Sequence, residues 1–129
     1  MIYIQTYTSF IGRLMISTIF LMAGWSKIGA YQATQSYMQA MGVEPNLLPL
    51  VIITELLGAI AIIIGYKTQL AAFLLASFTI LAAVLFHGNF SDQMQTILFM
   101  KNIAIAGGLL FIVTNGAGCF SIDNACAKK

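Results

Sequence analysis

LLPLVIITELLGAIAIIIG, residues 47–65, is the stretch that decides the fold. It is apolar throughout except for Thr54 and one carboxylate, Glu55, near its middle. A run of about 18 or more apolar residues is long enough to cross a bilayer as a helix, in which all backbone groups pair internally. A carboxylate at that depth costs roughly 2.5 kcal/mol or more to insert, so it indicates either a buried pair or a functional site.

The composition places the whole chain in the membrane class. Its 129 residues are 60% hydrophobic and only 8% charged, whereas a soluble domain has about 25% charged residues. Three further apolar stretches, together with the first, predict an all-α, integral membrane four-helix bundle that forms a single domain over residues 1–129. The predicted spans are approximately 9–28, 47–65, 69–87 and 96–114.

The segment 29–46 is the longest connection between predicted spans. It carries Tyr31, Tyr37, Met38 and Met41, which predict a short amphipathic helix at the membrane surface.

The few charges predict an orientation. Four spans place both termini on one side of the membrane, together with Lys67, Lys128 and Lys129. Glu44 and Asp92 lie on the other side. Since cytoplasmic loops are enriched in Lys and Arg, we expect both termini in the cytoplasm.

Several classes of function are disfavoured. The net charge of +2 and the lack of a basic run argue against a nucleic-acid partner. No phosphate loop, dinucleotide motif, Ser-His-Asp arrangement or metal-ligand cluster is present, so we predict no metal site and leave open whether the chain is an enzyme. Cys119 and Cys126 match neither a C-x-x-C redox motif nor a zinc pair; free thiols are favoured, with a disulfide as the alternative in an oxidising compartment.

Polar and small residues recur at steps of three and four, which keeps them on one face of each helix. In the first span these residues are Arg13, Ser17, Phe20, Gly24 and Lys27. In the second they are Val51, Glu55, Gly58, Ile62 and Gly65. In the third they are Phe73, Ala76, Ile80, Ala83 and His87, and in the fourth Lys101, Ile105, Gly108, Ile112 and Asn115. We expect these faces to meet inside the bundle, with the third span acting chiefly as a packing wall through Ala72, Ala76 and Ala83.

Two cations are candidate partners for the buried carboxylate. Arg13 approaches Glu55 from one side of the membrane and Lys101 from the other, and the residues alone do not choose between them. Arg13 and Glu55 are the candidate structural ion pair. Lys27 follows Trp25 at a membrane interface, where anchoring explains both residues without a ligand.

His87 and Asn102 are the remaining polar candidates. His87 is the single histidine and closes the third span. It either caps the helix end or takes part in proton transfer or in binding a quinone carbonyl or haem iron. Asn102 can form hydrogen bonds across helices.

The ordered set of motifs resembles the DoxX family of small four-helix membrane proteins. The matching motifs are Gly12-Arg13, Gly24-x-x-Lys27, Glu55-Leu-x-Gly58, Gly65, His87, Lys101-Asn102-x-Ala104-x-x-Gly107-Gly108, Gly116-x-Gly118 and Ser121-x-Asp123. The resemblance covers roughly residues 9–123. It implies a bacterial inner-membrane protein close to quinone or redox chemistry, since the family includes relatives of the small membrane subunit of a thiosulfate:quinone oxidoreductase.

With this resemblance, we expect a membrane subunit of a redox assembly that binds a quinone-like ligand within the bundle. The candidate ligand-binding or proton-exchange residues are Glu55, Lys101, Asn102, His87 and Lys27. The implied partners are the lipid bilayer, other oxidoreductase subunits or a second copy of the chain. The alternative is a non-catalytic membrane scaffold or small-molecule carrier whose buried charges specify packing.

Overall fold

Residues 2–127 are described by the computed structural model, with side chains for residues 3–125, and they form helices and turns without a strand. The helices are α1 (Ile2–Gly29), α2 (Tyr31–Ala40), α3 (Leu48–Ile64), α4 (Thr68–Phe86), α5 (Gln93–Asn115) and α6 (Ile122–Ala127), with a 3-10 turn at Pro45–Leu47. Of these, α1, α3, α4 and α5 are long and apolar enough to cross a membrane. The predicted all-α transmembrane bundle is therefore confirmed.

The long helices extend beyond the apolar stretches from which the spans were predicted. Helix α1 begins at residue 2 rather than 9, and α5 runs over 93–115 rather than 96–114. Hydrophobicity reports the part of a helix that lies in hydrocarbon, whereas backbone hydrogen bonding continues into polar residues at the interface.

The amphipathic helix predicted within residues 29–46 is present as α2. Its Met38 is buried in a small cluster with Leu48 and Ile52 of α3. The Tyr37 ring stacks on Phe86 at the end of α4, with 5.6 Å between the ring centroids. Helix α2 therefore lies across the end of the bundle where α3 starts and α4 finishes.

A tight turn joins α3 to α4 at the opposite end of the bundle. Gly65 has φ +73°, and a Cβ at this position would lie 2.8 Å from both the Arg13 side chain and the Ser121 backbone. Lys67 also has a positive φ, 44°. The turn thus requires glycine at its first residue both for its conformation and for the close approach of the C-terminal segment.

The half of the bundle near this turn is tightly packed. Phe20, Ile62, Leu75 and Leu109 are buried together with the alanines of α4. Gly58 permits α3 and α4 to approach, because a Cβ there would lie 2.9 Å from Leu75 Cγ. Small residues allow membrane helices to come this close.

The predicted inward faces of α1 and α3 agree with the structure. Arg13, Ser17, Phe20 and Gly24 are buried, and Lys27 is partly buried. On α3, Glu55, Ile62 and Gly65 are buried, with Val51 and Gly58 partly so. These two helices carry their charged residues at positions that face neighbouring helices.

The predicted faces of α4 and α5 are partly wrong. Ala72, Ala76 and Ala83 are buried as expected, but Phe73 and Ile80 are 53% and 41% exposed and face outward. On α5, Lys101 and Asn115 are exposed, whereas Ala106 and Leu109 are buried. Apolar residues suit lipid as well as a bundle interior, so hydrophobicity alone does not define the rotation of these helices.

Candidate functional site

Glu55 forms an ion pair with Lys27. The carboxylate is 4% exposed, and Lys27 Nζ lies 3.0 Å from Oε1 and 2.9 Å from Oε2. Only the contact with Oε1 has hydrogen-bond geometry, so Oε2 has no hydrogen-bond donor among the described residues. This buried carboxylate is therefore paired in charge but retains free acceptor capacity.

The two partners predicted for Glu55 are both wrong. Helices α1 and α3 pack closely where a Cβ at Gly24 would lie 2.7 Å from the Leu56 side chain, which places the last turn of α1 beside Glu55. The long stem of Lys27 then points back along its own helix, with Nζ 3.5 Å from the Ala23 carbonyl oxygen. Lys27 thus turns into the bundle instead of serving as the predicted interfacial anchor.

Arg13 is buried, but it binds backbone carbonyls rather than a carboxylate. Its side chain is 2% exposed, and Nη1 donates to the carbonyls of Ile62 at 2.8 Å and Ile63 at 3.2 Å. Nη2 donates to the Phe120 carbonyl. The cation lies at the C-terminal end of α3, where unpaired carbonyls make the helix end negative.

Lys101 does not reach Glu55 either. Its side chain is exposed near the start of α5, and the ion pair of Glu55 is with Lys27. A lysine a few residues inside a membrane helix can extend its ammonium group toward the interface, which accounts for the exposed position.

A cavity lies in the half of the bundle near α2. Its volume is about 530 Å³, within the roughly 300–1,000 Å³ typical of small-molecule sites. The structure brings all five predicted ligand residues to its wall. They are Lys27, Glu55, His87, Lys101 and Asn102.

His87 has a defined partner at the rim of this cavity. Its Nδ1 lies 2.7 Å from Gln95 Oε1. Because an amide oxygen only accepts hydrogen bonds, His87 Nδ1 is the donor in this contact. His87 also ends α4, where its backbone N–H donates to the Ala83 carbonyl. The predicted role at the helix end and a role in the cavity are therefore compatible.

Sequence reasoning missed the contribution of α2 and two hydroxyl groups. Thr34, Tyr37 and Met38 of α2 line the cavity, as do Thr54 and Thr79. The aromatic and methionine residues of 29–46 indicated an amphipathic helix, which was interpreted as lying on the membrane surface. Its apolar face covers the end of the cavity instead.

A second polar cluster lies at the opposite end of the molecule. Asp123 accepts hydrogen bonds from the Lys67 and Thr68 backbone N–H groups, at 2.7 and 2.8 Å, and from Thr68 Oγ1 at 2.7 Å. Burial alone would raise the pKa of Asp123, but the hydrogen bonds from Thr68 and Lys67 and the charge of Arg13 hold it below its ordinary value of 3.8. This carboxylate caps the start of α4 from the C-terminal segment.

Cys119 lies in the same C-terminal segment as an exposed free thiol. The side chain of Cys126 and the predicted inner-side residues Lys128 and Lys129 fall outside the described part of the chain.

Four apolar membrane-length helices around buried charged groups define a multi-pass integral membrane protein. The DoxX family model matches residues 8–88. The chain belongs to the DoxX family.

The relatives include bacterial inner-membrane proteins. Inner membrane protein YqjF of Escherichia coli is 44% identical over 119 residues, which cover 92% of each chain. Inner membrane protein YphA of Escherichia coli is 31% identical over 121 residues, covering 88% of this chain and 86% of that protein. ER-derived vesicles protein ERV29 of Saccharomyces cerevisiae is 25% identical over 91% of this chain and 33% of its own length. No solved structure matches. With the four apolar helices, these relatives support a multi-pass protein of the bacterial inner membrane.

Proposed function

We propose that the chain is a membrane subunit of a redox assembly and that it binds a quinone-like ligand in the cavity. The observation that carries this proposal is the convergence of Lys27, Glu55, His87, Lys101 and Asn102 on one mainly apolar cavity of about 530 Å³. Predominantly apolar walls with a few convergent polar groups are typical of sites for small amphipathic molecules.

The chemistry of the wall fits a quinone. Lys101 and Asn102 supply N–H donors for ring carbonyl oxygens. Glu55 Oε2 lacks a hydrogen-bond donor, so it supplies an acceptor for a ligand hydroxyl group. A quinone takes up electrons and protons together when it is reduced, and electrons would come from a partner subunit. Glu55 and His87 are among the cavity residues that would exchange a proton with the ligand.

We expect Glu55→Gln to weaken binding of the quinone, most strongly of its reduced, hydroxyl-bearing form, because it removes the carboxylate charge and turns one acceptor oxygen into an amide donor. The measurement is the amount of quinone that co-purifies with the protein from native membranes, followed by titration of quinone into the delipidated protein. Glu44→Gln is the matched control, since Glu44 is an exposed carboxylate outside the cavity lining. Unchanged binding by Glu55→Gln at equal folded yield would contradict the proposal.

The ion pair itself favours a second candidate, a non-catalytic scaffold or small-molecule carrier. Lys27 compensates the Glu55 charge within the chain, as a purely structural pair would. Removing one member of a buried pair costs about 3–5 kcal/mol, whereas replacing both with apolar residues is often neutral. This candidate therefore predicts that Lys27→Met lowers folded yield and Lys27→Met/Glu55→Leu restores it, without any effect on a bound quinone in either variant.

We also propose that both termini lie in the cytoplasm. The contacts of Asp123 with Lys67 and Thr68 support a common side for the C-terminus and the α3–α4 turn, where Lys67 is a cation. Labelling of intact cells with an impermeant maleimide tests this. In a Cys126→Ser background, we expect Cys119 to react only after permeabilisation, and a Ser91→Cys control in a cysteine-free background to react in intact cells. The reverse labelling pattern would show that both termini lie on the periplasmic side.

A further inference from the structure

The wall of the cavity between α3 and α4 is built from leucines that also face outward. Leu50 of α3 and Leu81 and Leu85 of α4 line the cavity, yet they are 61%, 56% and 41% exposed. Side chains that contribute both to the cavity wall and to the outer surface of the bundle lie where the cavity opens to the outside. Because they lie within two membrane-length helices, close to the ends of those helices that meet α2, the position of the opening fits the lipid side of the bundle near the membrane interface.

The packing of α3 against α4 explains where the opening lies. The helices are in close contact at Gly58 and Leu75, where a Cβ on the glycine would lie 2.9 Å from Leu75 Cγ. One turn further toward α2, Thr54 of α3 and Phe78 and Ala82 of α4 line the cavity. The cavity wall thus includes both helices on the α2 side of Gly58.

The charged groups lie mainly on other walls. Lys27 comes from α1 and Lys101 and Asn102 from α5, while Glu55 is turned toward Lys27. The leucine opening is thus continuous with a cavity that is polar at its far wall. Such a site matches a lipid-like molecule, whose polar head would contact the polar wall and whose apolar tail would contact the leucines.

We propose that the ligand enters and leaves sideways from the bilayer, between α3 and α4, through a portal formed by Leu50, Leu81 and Leu85. Its single long alkyl or isoprenoid tail lies in the portal, and its polar head faces the Lys27–Glu55 pair. This inference rests on the proposed function for the identity of the head. It adds that the ligand class is a membrane-dissolved, long-tailed amphiphile and not a water-soluble substrate.

A fatty alcohol with a diazirine close to its hydroxyl end, the end that would enter the cavity, tests the portal without a quinone. In phosphatidylethanolamine–phosphatidylglycerol vesicles, we expect it to label Thr54, Phe78 or Ala82 on illumination, as read by peptide mass spectrometry. Leu50→Trp/Leu81→Trp narrows the portal and reduces this labelling at least about tenfold, because access then requires a conformational change.

The matched control is Leu57→Trp/Leu74→Trp. These leucines lie on the same two helices and are 61% and 53% exposed, but they do not line the cavity. The cavity residues of this control variant should be labelled to the same extent as those of the wild type. No labelling of the three cavity residues in the wild type, or equal labelling in both tryptophan variants, would overturn the portal.

Competition separates this inference from the proposed function. Excess long-tailed quinone should suppress the labelling in the wild type, while a tail-less quinone ring should suppress it far less. If neither quinone competes but labelling still depends on the portal leucines, the portal stands and the quinone proposal fails. If the ring competes as well as the long-tailed quinone and the portal variant binds both at the wild-type rate, the quinone site stands and sideways entry fails.

Discussion

Arg13 and Lys27 are two cations on one face of α1, and the structure uses them differently. Lys27 has a flexible stem and a compact ammonium group, and it pairs with the Glu55 carboxylate. Arg13 has a planar guanidinium with several donors, and it binds carbonyls of α3 and of the C-terminal segment. The three carbonyl oxygens suit the several N–H donors of a guanidinium group better than the compact charge of a lysine ammonium group.

We expect Arg13→Met to lower the free energy of unfolding by about 3 kcal/mol, because it leaves buried carbonyls without a charged donor. Arg13→Lys should lose a large part of this stability as well, since an ammonium group does not reproduce the fork. Thermal unfolding in detergent measures both. Because Phe120 is among the acceptors, faster proteolysis of the segment 116–127 should accompany the loss. Wild-type stability in both variants would contradict the role assigned to Arg13.

Individual helices in this bundle owe their contacts to small residues at particular positions. Gly58 faces the buried side chain of Leu75, and Gly24 faces Leu56. By contrast, a Cβ on Gly107 of α5 would meet nothing within 4 Å. Glycines that look equivalent in sequence therefore differ in whether a neighbouring helix occupies the space in front of them.

Gly58→Ala and Gly107→Ala form a matched pair that tests this difference. We expect Gly58→Ala to destabilise the protein by about 1–3 kcal/mol, because its methyl group would overlap Leu75. Gly107→Ala should be neutral or stabilise by up to about 1 kcal/mol, since alanine is the better helix former. Denaturant unfolding in mixed micelles compares the two. Equal effects would show that close approach of α3 and α4 is not the reason for glycine at position 58.

Across the whole molecule, the two ends of the bundle differ in how they are packed. At one end, the C-terminal segment is held by Asp123 on the start of α4 and by Arg13 on the Phe120 carbonyl. At the other end, α2 covers a cavity with the Lys27–Glu55 pair on its wall. The packed end fixes the helices relative to one another, and the hollow end leaves room for a ligand.

Attachment of the C-terminal segment should depend on pH. The folded-state pKa of Asp123 is lowered, so its contribution to stability is fully present above the ordinary value of 3.8 and is lost as pH falls through the lower folded value. Hydrogen exchange of the Lys67 and Thr68 amides, which Asp123 protects, should accelerate relative to the rest of the protein over this acidic range.

Asp123→Asn tests the same contact at neutral pH. We expect the free energy of unfolding to fall by about 1 kcal/mol, as for a weakened helix cap. Hydrogen exchange of the Lys67 and Thr68 amides should then change between pH 5 and pH 3 only as much as the intrinsic exchange rates do. A wild-type pH response in Asp123→Asn would assign the effect to another group.

Much of the architecture follows from sequence because hydrophobicity is a local property that sums along the chain. The apolar run 47–65 required a membrane helix whatever its neighbours were, and the isolated Glu55 identified the position where polar contacts had to form. The steps of three and four located the inward faces of α1 and α3, since both helices carry their charged residues on one side.

The partners of those residues were decided only in three dimensions. Whether Glu55 meets Arg13, Lys27 or Lys101 depends on the register and rotation of packed helices, which many contacts set together. Lys27 pairs with Glu55 because α1 packs closely on α3 at Gly24. Arg13 instead donates hydrogen bonds to carbonyls at the end of α3. The cavity likewise depends on how α1, α3, α4 and α5 pack around it and on α2 covering its end. An apolar residue is equally stable against lipid or protein, so its sequence position alone does not determine which of the two it contacts.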